Sequence, residues 1–340
     1  MAMMTAARLH GAGDVRLGTE EAPVAGPGEE LVRVTAVGLC GSDLHWFGQG
    51  GIGDAQLDRP LVLGHEFAGV IAEGPRAGTP VAVDPARPCG SCEDCLDGNR
   101  NLCPQVVFAG HGTNDGGLRE LVAWRSDALH PVPESFSAAD TAMLEPLGVA
   151  LHALDLGHPR LGGTVAVVGA GPIGLCAVQL ARRAGAVRVV AVEPLAHRRE
   201  AAARLGADLV LDPGAGDVGA QVREATEGRG VDVAFEVAGN DSAVAIAVQS
   251  ARPGGRVVLA GIPDEDTTEF PASVARRKGL TIKLSRRMKE VYPRATRLVA
   301  AGMVDVTSLV THRFPLAQAG AAFEVAQRRD GLKVVVHPGA

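Results

Sequence analysis

The run TVAVVGAGPIGLCAVQLARRAG, residues 164–185, constrains the fold of this chain more than any other stretch. Thr164 to Val168 read as a buried strand. Gly169, Gly171 and Gly174 follow in G-x-G-x-x-G spacing, with Pro172 and Ile173 between the last two, and an amphipathic helical stretch comes next. In that context the first glycine permits a tight turn, the second lets the backbone approach a pyrophosphate, and the third allows close helix–strand packing. The helix N-terminus then offers free N–H groups and the positive end of a dipole. A second strand, RVVAVE, ends at Glu193, 19 residues beyond Gly174. A carboxylate there accepts hydrogen bonds from adenosine ribose hydroxyls and disfavours a 2′-phosphate. The expectation is NAD rather than NADP, held at Gly169, Gly171, Pro172, Ile173, Gly174 and Glu193, with Arg198 and Arg199 the groups able to accommodate a phosphate.

Around this motif apolar strands alternate with Ala/Arg-rich helical stretches: TVAVVG, RVVAVE, LVLD, VDVAFEVAG, GRVVLAG and LTIKLS. Near-continuous apolar strands separated by helices imply βαβ units and a parallel sheet covered on both faces, an α/β doubly wound architecture. Before it, short β-rich runs such as LVRVTAVG, FAGVIAEG and TPVAVDP are punctuated by Gly and Pro, which suits an irregular β-barrel with few helices. After residue 286 the regularity fades, and the closing KVVVHP strand is expected to return to the first domain. A chain of 340 residues with 46% hydrophobic content exceeds what one core organises. The expected division is 1–148 with 286–340 as one domain and 149–285 as an inserted nucleotide domain.

The segment CGSCEDCLDGNRNLC places Cys89, Cys92, Cys95 and Cys103 within fifteen residues. Four thiolates suit a closed tetrahedral zinc with no position left for substrate, hence a structural site, in a lobe spanning about 86–104. An iron–sulfur cluster is the competing reading, although the spacing is not a ferredoxin run. A pair of disulfides would need an oxidising compartment. Earlier, VGLCGSDLHWF and LVLGHEFAG supply Cys40, His65 and Glu66 from separate loops. A mixed S/N/O set suits zinc, and three protein ligands leave a position for water or an alcohol.

Those residues resemble the medium-chain zinc alcohol dehydrogenase family, and within it the sorbitol, xylitol and threonine dehydrogenase group. The marks are LCGSDLHWF (39–47), GGIGD (50–54), RPLVLGHEFAG (59–69), the four-cysteine lobe, DGG (115–117) and LEPLGVALHA (144–153). The resemblance spans nearly the whole chain. It implies a GroES-like β-barrel catalytic domain beside a Rossmann domain, with two zinc ions per chain. It also makes Cys40, His65 and Glu66 catalytic zinc ligands and Glu145 a fourth carboxylate, direct or through water. Ser42 matches the hydroxyl that takes the substrate proton, and His45 the residue that relays it. Trp46 and Phe47 are expected to line the pocket. Arg287 matches an arginine that polyol dehydrogenases place against substrate hydroxyls, but Met288 stands where they have tyrosine, which puts sorbitol itself in question.

The activity so implied is reversible oxidation of a secondary alcohol, a polyol above all, to a ketone. Threonine dehydrogenase-like oxidation of an amino alcohol is the near rival, and a non-catalytic redox sensor built on the cysteine lobe the distant one. A net charge of −6 gives no basic footprint for nucleic acid and no attraction to an anionic membrane surface. The absence of a leader or a long apolar run makes the cytoplasm the expected compartment. A homodimer or homotetramer is expected by resemblance.

Overall fold

The computed structural model describes residues 2–263 and 267–339. The chain divides into two compact units, Met1–Glu145 with Tyr292–Ala300 and Val306–Ala340, and Pro146–Val291 with Ala301–Asp305. Relative to the expected divisions at 148/149 and 285/286, the breaks fall at 145/146 and 291/292. Residues 301–305 return to the second unit because Asp305 is tied to it: its N–H donates to Gln179 Oε1 (2.7 Å), and Gln179 Nε2 donates back to its carbonyl (2.9 Å).

The first unit is built on β1 (Met3–Gly11), β2 (Asp14–Glu21) and β3 (Glu29–Gly38), the helix α1 (Gly41–Gln49), and the strands β4 (Leu61–Val62), β5 (Glu66–Ile71), β6 (Pro80–Val83), β7 (Leu121–Arg125) and β8 (Leu129–Pro131). The returning segment adds β9 (Val310–Pro315), the helix Ala319–Arg328 and β10 (Lys333–His337). The main sheet runs β8-β6-β5-β3-β10-β9, with β7 also paired to β3, while β2-β1-β4 form a second sheet. Alternation along β3 places Val32, Val34 and Ala36 in the interior, fully buried. The core gathers Val32 and Val34 with Phe67, Ile71, Trp124, Phe323 and Val336. One register matters for the site: Gly38 at the end of β3 pairs with Glu66 of β5 on one side and Val335 of β10 on the other.

The second unit is a parallel six-stranded sheet formed by β11 (Thr164–Val168), β12 (Arg188–Val192), β13 (Leu209–Leu211), β14 (Val231–Glu236), β15 (Ala251–Leu259) and β16 (Thr281–Leu284), in the order β13-β12-β11-β14-β15-β16. This is the order of a Rossmann sheet, and it reverses between β11 and β14, where a dinucleotide crevice lies in such folds. Val165, Val167, Val189 and Val190 are fully buried, so both faces of the central strands are covered, as near-continuous apolar runs require. Among the described residues no helix is long and apolar enough to cross a membrane.

Candidate metal centres and dinucleotide site

Cys40 sits at the junction of β3 and α1. It is the N-cap residue of the helix, and its N–H donates to Asp43 Oδ2 at 2.9 Å, closing a capping box. His65 and Glu66 lie where the chain enters β5. The donor atoms of Cys40, His65 and Glu66 all come within 4.8 Å of one another. Thiolate, imidazole and carboxylate at that separation fit a single zinc-sized ion, with a coordination position left over.

Three residues that sequence reasoning passed over shape this trio. Asp43 is 1% exposed. Its Oδ1 accepts from Gly64 N–H (3.2 Å) and lies 3.4 Å from His65 Nδ1, which turns Nε2 of the imidazole towards the site. Burial pushes the Asp43 carboxyl up, but His65 and the N–H groups of Cys40 and Gly64 outweigh it and hold it below its usual value. For His65 burial favours the neutral ring, while Asp43 and Cys40 overcome that and raise it well above the usual histidine value. Lys333 of β10 is 3% exposed and donates to both oxygens of Glu66, at 2.8 and 2.6 Å. Gly38 is the third: Glu66 lies across it so closely that a Cβ there would collide with Oε2.

Ser42 Oγ is 3.4 Å from His65 Nε2, at the site, and half-buried His45 stands one helical turn further along α1. Glu145 is 6% exposed. Burial, then the charges of Glu66 and Asp84, push its carboxyl up to about 8 against the pull of His65 and Lys333. It is outside the converging trio, so the structure brings together three of the four carboxylate, thiol and imidazole groups expected around the metal.

Trp46 and Phe47 sit deep in the first unit. Both belong to the first unit's core, at 1% and 5% exposure. Phe47 stacks on Phe323 at 4.9 Å, and Trp46 meets His111 edge-on. Asp43, Trp46 and Phe47 form the i, i+3, i+4 buried face of α1. The ring of Phe108 lies 5.3 Å from the His65 ring. Arg287 lies in the second unit at a left-handed φ of 54°. Met288 is 9% exposed and packs over Gly148, filling the space a side chain there would need, so it is a core residue of its own unit.

The four lobe cysteines also gather within 4.8 Å of one another. Cys89–Cys95 and Cys92–Cys103 sulfurs are 3.9 Å apart, too far for disulfides. The N–H groups of Ser91 and Cys92 point at Cys89 Sγ and pull its thiol down to about 6, which favours the thiolate that a metal binds. The donor set fits a closed tetrahedral ion.

In the second unit Gly169 turns at φ 103°, and a Cβ on Gly174 would strike the Gly169 carbonyl. Helix α2 (Pro172–Arg183) starts at Pro172 and Ile173 with Gly171 as its N-cap. Glu193 is 4% exposed; Oε2 accepts from Ala170 N–H (2.8 Å) and Oε1 from Leu195 N–H (3.0 Å), fastening the glycine turn to the end of β12. Arg198, on the helix Ala196–Arg204, brings Nη1 to the open face of Gly171, 3.7 Å from where a Cβ would stand.

Comparison with known proteins decides what this combination is. Residues 26–134 match the alcohol dehydrogenase GroES-like domain and residues 172–301 the zinc-binding dehydrogenase domain. A sorbitol dehydrogenase of Bacillus subtilis is 36% identical, over 98% of this chain and 97% of its own length. The chain belongs to the zinc-dependent medium-chain polyol dehydrogenase family. Two solved members of the fold carry cofactor. A zinc-binding dehydrogenase described as putative, from Sinorhizobium meliloti and bound to NADP, has TM-score 0.89 and 32% identity, covering 99% of this chain and 100% of its own. An alcohol dehydrogenase of Escherichia coli complexed with NADH has TM-score 0.90 and 28% identity, with the same coverage. This polyol dehydrogenase family member is thus a zinc-dependent, nicotinamide-linked oxidoreductase of a small-molecule alcohol.

Proposed function

We propose that the protein reversibly oxidises a secondary alcohol of a polyol to the ketone, with NAD as hydride acceptor and two zinc ions per chain. The observation that carries this is the convergence of Cys40, His65 and Glu66 beside the Ser42 hydroxyl. The sorbitol dehydrogenase relative supports a polyol. Zinc at the trio would supply Lewis acidity that makes the alcohol proton easier to lose, and the nicotinamide would take the hydride. Ser42 receives that proton at Oγ, and His45 carries it on along α1. Asp43 fixes the His65 tautomer, while the rings of Phe108 and His65 exclude water on one side. Glu145 would be a fourth carboxylate for the metal, direct or through water. The Cys₄ lobe holds the second zinc, with no open position and a structural role.

Glu193 favours NAD, since a 2′-phosphate would be set against a buried carboxylate already accepting two backbone hydrogen bonds. Gly169, Gly171, Pro172, Ile173 and Gly174 receive the pyrophosphate, with Arg198 beside it. Arg287 is assigned to substrate hydroxyls; the absence of a tyrosine next to it supports a shorter, cyclic or less polar polyol than sorbitol. A homodimer or homotetramer is supported by the open edge of the second unit's sheet, where Leu284 of β16 is 79% exposed. A reducing compartment such as the cytoplasm suits six cysteines with no disulfide among them.

The test is an NAD⁺-reduction screen of zinc-loaded enzyme across linear and cyclic polyols, simple alcohols and L-threonine. A polyol should give the highest kcat/KM with NAD⁺, and NADP⁺ a lower one. Turnover of L-threonine with idle polyols would overturn the reading.

A further inference from the structure

Lys333 opens β10 among apolar neighbours, in a unit where a buried cation has to find acceptors. Its three donors all have them: Glu66 Oε1, Glu66 Oε2 and, at 3.0 Å, the carbonyl of Leu39. Leu39 immediately precedes Cys40. The ammonium therefore grips the backbone carbonyl just before one proposed metal-binding residue and the carboxylate of another, and the pairing of β10 with Gly38 and of Gly38 with Glu66 sets it there. The absent side chain at Gly38 is what lets the carboxylate lie flat across the strand towards Lys333.

The two oxygens that a metal would use are the two that the ammonium already uses. A carboxylate shared in this way gives a metal only part of its charge. We propose that Lys333 is a positioning residue of the metal centre, holding Glu66 as a weak, partly withheld oxygen ligand so that a coordination position stays open for the substrate oxygen. This rests on the reading of Cys40, His65 and Glu66 as metal ligands. The charge count gives it a purpose. A thiolate and one carboxylate would neutralise a divalent ion, and the Lys333 ammonium then offsets the buried carboxylate of Asp43, so that the centre is not left negative towards an anionic oxygen.

Lys333→Met removes the charge at nearly constant volume, Lys333→Gln keeps a donor without the charge, and Lys333→Arg keeps the charge. The measurements are chelator competition for the metal that Cys40→Ser fails to bind, the visible spectrum of cobalt(II)-substituted protein, thermal stability with and without metal, and turnover. Without the competing ammonium, K333M should bind the metal about tenfold more tightly or better. Its cobalt bands should shift as Glu66 closes on the ion, turnover should fall, and K333R should restore the wild-type spectrum. Metal-free K333M should melt lower, its Glu66 having lost its counter-ion, and gain more from metal than the wild type does. If K333M does not fold, K333Q reports the same spectrum and affinity. Metal affinity within about twofold of wild type, with a superimposable cobalt spectrum, would overturn the proposal. Glu66→Gln separates the two readings. A cobalt spectrum unchanged by E66Q removes Glu66 from the coordination sphere and takes the metal assignment with it. A spectrum changed by E66Q but not by K333M removes only the role of Lys333.

Discussion

Asp43 is the residue on which the aim of His65 depends. An imidazole that must present Nε2 to a metal needs its other nitrogen occupied, and Asp43 Oδ1 does that at 3.4 Å while the same carboxylate holds Cys40 N–H and Gly64 N–H. One side chain thereby sets the backbone on either side of the ligand pair. Asp43→Asn should lower the affinity of the Cys40 metal by about 10–100-fold, read by chelator competition, and leave the Cys₄ metal in place. Equal affinity in the variant would show that His65 is held by other means. The grouping of Cys40, His65 and Glu66 was legible in the sequence because side chains of metal-ligating type stand there in short local motifs. Asp43 and Lys333 were not, because what each does depends on a partner 21 and 267 positions away. Both left a trace: Asp43 is the third residue after Cys40, where a capping box takes its acid, and Lys333 is a lone cation leading an apolar strand. The helical period places Trp46 and Phe47 with Asp43 on the buried face of α1, a placement that the family likeness alone did not give.

At the scale of elements, the six parallel strands of the second unit were readable because burial on both faces leaves an almost unbroken apolar run, an unambiguous pattern. Helix α1 was not read as one. It has only nine residues, carries glycines at 41 and 48, and follows a strand in a β-rich stretch, so its period had little length in which to show. Between β11 and β14 the sheet is also tied by Asp232. Its Oδ2 accepts from Thr164 N–H (2.9 Å) and Oγ1 (3.0 Å), and its Oδ1 from Arg252 Nε (2.6 Å) and Arg229 Nη2 (2.8 Å). Partial burial pushes this carboxyl up, but Arg252, Thr164 and Arg229 outweigh it and bring it to about 2 from 3.8. A carboxyl depressed by folding adds stability above its unfolded value, and that stability drains away as pH falls through the folded value. Asp232→Asn should therefore cost about 1 kcal/mol at neutral pH, a modest figure because water screens the site. The gap from wild type should close between pH 4 and pH 2 in urea unfolding. A gap that persists undiminished at pH 2 would place the effect in packing.

At the scale of the whole molecule, the two proposed metal positions differ in what they connect, and this predicts how the protein would lose them. The Cys₄ set lies within one lobe, Cys89 to Cys103, with Cys95 and Cys103 buried, and it ties together a segment whose regular structure is little more than the short helix Glu93–Leu96 and a turn. Such a segment has few apolar contacts of its own, so a bound ion supplies much of its ordering energy. The Cys40 set instead hangs on β3, α1 and β5, elements already fixed by a large core and by the Glu66–Lys333 pair, so they should stay folded when the metal leaves. Chelation should accordingly proceed in two stages. The first metal to leave should be the one at the open Cys40 set, abolishing turnover with little change in melting temperature; the second should leave with a drop in melting temperature and exposure of the lobe to protease. Cys40→Ser should reproduce the first stage and Cys103→Ser the second, each with about one metal per chain remaining by elemental analysis. A Cys103→Ser protein that melts like wild type while losing all turnover would reverse the assignment of the two sites, because the closed set of four thiolates would then be the one in contact with substrate.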